Sequence, residues 1–476
     1  MKKQQVKLGL CPIGKFVFSH EDAKLQKKLL EQKLRQWNIE FVGIDSVVKD
    51  GIVRGTDDIA PVIRHFKATG VDGLFLPHCN FGTEHATGLI GRDLGVPVLL
   101  WGPRDEAPLP DGTRLRDSLC GLLASSKILH KLRVPFTYIE NCRINDRPLE
   151  AGVKNFQRVM SVVKGFKNMR IGQIGERIDF FWTTIIDESD LLQRYRIEVL
   201  PLDMVKVIKA TKDRARKDEA KYRREIAALK RKIKIFGFKE PQPLYNVLAL
   251  RDEMLELAER HNLSGFAIQS FMSICDELGA MIEFASSEVT EAGYPVACET
   301  DIHGAISSII LQRASLDAEP TFLGEPTIRH PKNDNAMLFW HCGFPLGLRK
   351  PNRPAAIGTH WILPDIAPGT CHWQLRDGEI TMARFDGEGG QYRLAAGTGK
   401  TVPGPDTQNV YAWLEVNDWP RWERQLIEGP YIHHMGAVYG KFTPVLMEAC
   451  KYLPGVTPEP LGQELSDVQK QFFKEC

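Results

Sequence analysis

No two of the ten cysteines are spaced as C-x-x-C, and they are scattered along 476 residues. That disfavours a structural zinc site or a secreted disulfide scaffold, and predicts reduced, largely buried thiols in a cytoplasmic protein. No apolar run approaches the ~18 residues of a membrane span. The polar opening Met1-Lys2-Lys3-Gln4-Gln5 carries no secretory signature. One-signed charge is missing too: Lys+Arg total 62 against Asp+Glu 60, a formal +2. A balance so even argues against nucleic acid or an anionic membrane as the main partner. Solenoid repeats and low-complexity tracts are also lacking. The glycines of Gly172-Gln173-Ile174-Gly175 fall short of a full G-x-G-x-x-G fingerprint and read as a tight strand-to-helix turn. No redox cofactor is expected.

What is present is regular alternation. Short apolar runs (Val6 to Leu10, Glu40 to Ile44, Gly73 to Pro77, Val96 to Trp101) are separated by amphipathic helical stretches. Near-continuous apolar strands between helices predict a parallel sheet covered on both faces. Ligands on such sheets sit beyond the carboxyl ends of the strands, so the loops bearing His78, Asn80, Glu84, Trp101 and Arg104 are candidate site walls. A second unit of this kind follows Ala151 to Phe166, with strands at Met169 to Ile174 and Ile197 to Leu202. The Lys/Arg/Glu-rich stretch Lys206 to Lys234 reads as an exposed helix laced by i,i+4 pairs rather than a nucleic-acid surface. From about Asp334 the helical period fades, and short alternating runs such as Ile380-Thr381-Met382-Ala383-Arg384 predict a mainly antiparallel domain, barrel-like in form. The expected domains are 1–165, 166–333 and 334–476.

Potential metal ligands are densest at Cys275-Asp276-Glu277 and in Ala297-Cys298-Glu299-Thr300-Asp301-Ile302-His303-Gly304. Glu299 and Asp301 fall where a parallel strand ends. Several carboxylates can share such an edge when a divalent cation meets their charge. The plainer alternative is that Asp301 only caps the next helix. Two histidine-bearing turns add to the set: Trp340-His341-Cys342-Gly343, and Tyr431-Ile432-His433-His434 ahead of Met435-Gly436. Mixed oxygen and nitrogen ligation weighted toward carboxylate suits a hard dication.

These three segments, in this order after two α/β units, resemble the L-fucose isomerase and L-arabinose isomerase superfamily. The resemblance implies two flavodoxin-like parallel-sheet domains followed by a β-rich carboxy-terminal domain. It also implies an aldose–ketose isomerase acting on a free sugar through a cis-enediolate, with Mn²⁺ or another dication such as Co²⁺ or Mg²⁺. By resemblance, Glu277 and Asp301 are the catalytic acids, with Asp276 and Glu283 as competitors for the place of Glu277. Glu277, Asp301 and His434 hold the ion, and His341 and Glu299 are further ligands. Gln269, His433, Trp340, His78 and Trp101 are expected around the sugar. A homo-oligomer, trimer or hexamer, is implied as well, with no nucleic-acid or membrane partner. Two other classes fit the residues alone: a metal-assisted hydrolase or lyase on a carbohydrate-related substrate, and a non-catalytic sugar-binding protein.

Overall fold

The computed structural model describes residues 5–361 and 367–474, and the chain divides into two compact units. One runs to Lys164 and is completed by Glu448–Pro454 and the tail from Ser466. Its sheet is five-stranded and wholly parallel, in the order Phe41–Val42, Leu8–Leu10, Gly73–Pro77, Val98–Trp101, Phe136–Tyr138. The central strands are buried along their whole length, as their unbroken apolar sequences require. The returning carboxy-terminal segments take part in this core. Tyr452 Oη donates to Val98 O at 2.9 Å, Thr137 Oγ1 donates to Glu448 at 2.8 Å, and Asn155 Nδ2 donates to Phe472 O at 2.8 Å.

Helix Ser118–Lys131 lies close against the polar loop that follows strand Gly73–Pro77. The contact is closest at Gly121, where a Cβ would sit 1.5 Å from the carbonyl oxygen of Phe81. Backbone cannot yield that far, so Gly121→Ala is expected to lower the unfolding free energy by at least the ~1–3 kcal/mol typical of overpacking. A urea titration of the variant against the parent protein measures this.

The second unit holds two sheets. The smaller is parallel, in the order Val296–Ala297, Gly265–Ile268, Arg170–Ile174, Glu198–Leu202. The larger closes on itself. Strands Gln391–Val402, Glu379–Glu388, Met435–Tyr439, Phe322–His330, Asn333–His341 and Val410–Glu415 pair antiparallel in sequence around a ring, and the last pairs back to the first. Closure removes the exposed edges that an open sheet would present. The first barrel strand, Phe322–His330, begins upstream of the change in sequence texture at Asp334, because Gly324 and Pro326 mask its strand pattern. Helix Ile302–Ala314 is buried almost throughout. It packs between strand Gly265–Ile268 and barrel strands Glu379–Glu388 and Met435–Tyr439, which explains why it is apolar on all sides.

The charged stretch after Asp203 forms two helices, Met204–Lys217 and Glu219–Leu229, carrying i,i+4 pairs such as Lys209–Asp213 and Arg223–Glu219. The described cysteines are free thiols and, Cys120 apart, buried. Among the described residues no helix is long and apolar enough to cross a membrane.

Candidate metal centre

Four side chains converge at one rim of the barrel. Ligand atoms of Glu299, Glu325, His341 and His434 all lie within 4.8 Å of one another. Strand register accounts for three of them. Glu325 faces Trp340 across the hairpin, beside His341 at the end of its strand, and Gly324 faces Met435, which brings His434 alongside. Glu299 arrives from the loop after Val296–Ala297, where Glu299 and Thr300 both hold left-handed backbone at φ 58° and 56°. Non-glycine residues persist there only when their surroundings fix them. Here the Glu299 N–H donates to Ser270 Oγ at 3.2 Å, the Thr300 N–H to Ile268 O at 3.0 Å, and Thr300 Oγ1 to Glu176 O at 3.1 Å.

Behind this set runs a buried chain of charges. Asp301 caps helix Ile302–Ala314 by accepting from the Gly304 N–H. The same carboxylate takes both terminal nitrogens of Arg384, Nη2 at 3.1 Å, and the Nδ1–H of His434 at 3.1 Å. Arg384 Nε continues to Asp386 Oδ2 at 2.8 Å, and Asp386 Oδ1 faces His303 Nδ1 at 3.0 Å. Burial alone would raise the Asp301 pKa, but the Arg384 guanidinium and His434 hold it far below the usual carboxylate range. Since Asp301 can only accept, it fixes the proton of His434 on Nδ1 and turns Nε2 toward Glu299 Oε2 at 3.3 Å and Glu325 Oε1 at 3.5 Å.

The donor set fits a dication. His434 Nε2 and Glu299 Oε2 are buried without a hydrogen-bond partner. Two carboxylates against two neutral imidazoles leave two negative charges, which a dication cancels. Without one, protons take its part. Burial opposes charging His434, but the carboxylates of Asp301, Glu299 and Glu325 around its ring push its pKa up to about 10. His341 is likewise raised despite burial, chiefly by Glu325. Glu325 in turn is held well below the carboxylate range, the two imidazoles overriding its desolvation.

A folded pKa near 10 against 6.5 for a free imidazole stabilises the metal-free fold fully below pH 6.5, and that contribution is lost as pH rises toward 10. The melting temperature of chelated protein is therefore expected to fall between pH 7 and 10. Added Mn²⁺, competing with protons for the same lone pairs, should flatten the profile. A pH series of melting curves with and without the ion checks both.

The structure departs from the sequence reading at several residues. Glu277 does not join the centre. It lies exposed on helix Ser273–Leu278, and Lys212 Nζ, 2.6 Å away, lowers its pKa. Its competitor Asp276 is exposed as well. Glu283 is buried beside Cys342, and burial pushes its carboxyl up to about 7. Asp301 supports His434 instead of facing the ligand atoms, its lone pairs being taken by Arg384, Gly304 and His434.

His433 stands at the exposed side, Nε2 3.6 Å from Glu325 Oε1. Trp340 neighbours His341 and is anchored by its Nε1–H to Gln408 O at 2.9 Å. Gln269 precedes Ser270 and donates to Glu176 O, with Oε1 left buried and unpartnered. His78 and Trp101 belong to the core of the other unit. His78 is wholly buried, with Nε2 2.8 Å from Ser125 Oγ, and burial pushes its pKa down to about 4. Trp101, 1% exposed, packs by Phe75. Neither ring offers a free face to a sugar in this chain.

Three participants escaped the sequence reading. Glu325 is a single acid inside the apolar run Phe322-Leu323-Gly324-Glu325-Pro326, a signal obscured by the proline. Arg384 and Asp386 alternate with Phe385, a period that reads as a solvent-facing edge but is buried here.

A barrel rim that gathers two glutamates and two histidines beside a parallel-sheet edge is a candidate metal centre of the kind an enzyme can use. Comparison with known proteins gives the family. Residues 9–167 match the fucose/sulfoquinovose isomerase N-terminal domain, and residues 359–456 match the L-fucose isomerase C-terminal domain. A sulfoquinovose isomerase of Alkalicoccus urumqiensis is 29% identical over 66% of this chain and 69% of its own. One from Priestia aryabhattai is 24% identical over 93% of this chain and 96% of its own. An ABC transporter periplasmic solute binding protein from Actinobacillus succinogenes 130z aligns with 65% of this chain and 92% of its own at 10% identity. The TM-score of that alignment is 0.16. The chain belongs to the L-fucose isomerase-like family and is an isomerase, an intramolecular oxidoreductase acting on a sugar. Glu299, Glu325 and His341 fall between the two matched ranges, and only His434 lies inside one.

Proposed function

We propose that the chain is a dication-dependent aldose–ketose isomerase whose ligands are Glu299, Glu325, His341 and His434. The observation that carries this is the convergence of four ligand atoms, two of them buried without partners, at a rim also reached by half-exposed His433. When bound, Mn²⁺ or a similar dication polarises the sugar carbonyl and offsets negative charge developing on O1 and O2. The chain's own groups move the protons. Glu325, kept ionised by His341 and His434, takes the proton from one carbon and returns it to its neighbour. Glu299, pinned by its strained loop, passes the hydroxyl proton between the oxygens. Asp301 and Arg384 keep His434 in the tautomer that leaves Nε2 available. Trp340 and His433 line the approach.

The substrate is a free monosaccharide. The curated relatives are named sulfoquinovose isomerases, which makes a sulfosugar the first candidate beside L-fucose and L-arabinose. Assembly as a trimer or hexamer and a cytoplasmic setting complete this reading. The experiment is NMR of these sugars in deuterium oxide with Mn²⁺-loaded and with chelated protein. Isomerisation conserves mass and places deuterium on carbon in the loaded sample only. Addition of water, loss of a fragment, or ligand-induced stabilisation without turnover would each replace the proposal with a hydrolase, a lyase or a binding protein.

A further inference from the structure

Beside the closed ring, the large sheet continues from Val410–Glu415 into three further strands, Thr370–Gln374, Ala355–Gly358 and the two-residue edge Lys234–Ile235. Register sets one row of side chains on a common face. Lys234 and His372 both stand opposite Ala356, one from each side, and Gln374 stands beside Tyr411. The alternate residues Ala355, Ile357, Cys371 and Trp373 turn the other way and are buried. Only Pro354 and Ala356 line the middle of the common face, so it sinks between taller neighbours. The result is a cavity of about 580 Å³, large enough for a small metabolite. The loop carrying Asp406 and Gln408 closes one end.

The polar groups of this trough are of two kinds. Lys234 is exposed and pairs with no carboxylate among the described residues, its Nζ lying 5.3 Å from the centre of the Phe236 ring. It belongs to residues 230–239, of which five are basic and none acidic. Arg353 donates from Nε to Gln374 Oε1 at 3.1 Å and from Nη2 to Asp406 Oδ1, which also accepts the Tyr411 hydroxyl at 2.9 Å. Arg353 Nη1 and Gln374 Nε2 remain as donors, and Asp406 Oδ2 as an acceptor. His372 adds no charge. Its Nδ1 accepts the Asn409 N–H at 3.0 Å, so its proton is on Nε2, 3.1 Å from Thr359 O. One positive charge is therefore in excess, next to a neutral set of hydroxyl-binding groups.

From this geometry we infer that the trough is a second small-molecule site, for a sugar phosphate or sugar sulfonate. The oxyanion takes Lys234 Nζ and Arg353 Nη1, both charge-assisted contacts. The hydroxyls take Asp406 Oδ2 and Gln374 Nε2, an acceptor and a donor that a polyol can use together. A bare anion engages only the first pair and a neutral sugar only the second, so the trough selects a ligand that carries both. Among the described residues, none of Glu299, Glu325, His341 and His434 lines it. One link joins the two sites: Gln408 O, at the end of the trough, accepts the Nε1–H of Trp340, the neighbour of His341.

Calorimetric titration of the chelated full-length protein tests this without turnover. Glucose 6-phosphate and its 6-sulfonate counterpart are titrated separately, and the tighter of the two identifies the oxyanion. That ligand should saturate one site, with glucose and inorganic phosphate each binding ~10–100-fold more weakly, as expected for one or two lost hydrogen bonds. Lys234→Met should weaken binding by a similar factor, and Ala356→Leu, which fills the floor, should remove it. Lys230→Met deletes the same charge outside the trough and should change affinity by less than about threefold. If Ala356→Leu fails to fold, Lys234→Met decides, because its side chain is exposed. No saturable binding of either ester, or unchanged affinity in Lys234→Met, would overturn the proposal. Equal losses in Lys230→Met and Lys234→Met would overturn it too, leaving only diffuse attraction to a basic surface. So would inorganic phosphate binding as tightly as the sugar, or binding lost in Glu325→Gln but kept in Lys234→Met, which would place the ligand at the metal centre.

Discussion

Glu325→Gln is expected to abolish isomerisation, with a loss at the upper end of the ~10²–10⁴-fold span of general acid–base removal. The substitution keeps the shape of the side chain but removes the charge that faces three imidazoles, His341 at 3.3 Å, His434 at 3.5 Å and His433 at 3.6 Å. Two effects compound. An amide cannot take a proton from carbon, and its carbonyl oxygen is a weaker ligand for a hard ion. Measuring deuterium incorporation at saturating Mn²⁺ separates them. If the ion is restored by mass action and exchange remains absent, the carboxylate is the base. Turnover within about threefold of the parent would exclude Glu325 from both roles.

Arg384→Met is expected to cost about 3–5 kcal/mol of folding stability, the range for removing one partner of a buried ion pair. Arg384 is 1% exposed and bridges Asp301, also 1% exposed, to Asp386. Methionine fills part of the volume but strands two carboxylates in a medium that penalises unmet charge. The damage should be conditional on pH. With the guanidinium gone, the Asp301 pKa moves up toward and beyond its ordinary value. Acid should then rescue the variant relative to wild type as the stranded carboxylates protonate. Urea denaturation of both proteins at pH 5 and pH 8 reads this directly. An equal deficit at both values would show that packing, not charge, is what Arg384 provides.

Much of the fold was legible because its signals are local. Runs such as Gly73-Leu74-Phe75-Leu76-Pro77 can only be doubly covered parallel strands, and helix Ile302–Ala314 announces its start through Asp301 and its burial through composition. Part of the candidate cluster was legible as well. Glu299, His341 and His434 sit in turns flanked by glycine or apolar strand, where a polar side chain needs a reason. Glu325 stands in the cluster and Glu277 does not, for a physical cause. The resemblance put Glu277 in the site through its spacing from Asp301, whereas barrel register, a property of paired strands, decides which carboxylate stands beside His341. The division of labour between Asp301 and Glu299 was equally out of reach. Two residues apart and alike in charge, they differ by one methylene and by what Arg384 and the left-handed backbone do to them.

The first compact unit is closed by the last residues of the chain: Tyr452, Glu448 and Phe472 all bond to residues that precede them by more than three hundred positions. On a ribosome, where synthesis runs from the amino end, that unit cannot finish its interior until the segments carrying Glu448, Tyr452 and Phe472 have been made. Until then its early strands keep part of their apolar surface uncovered.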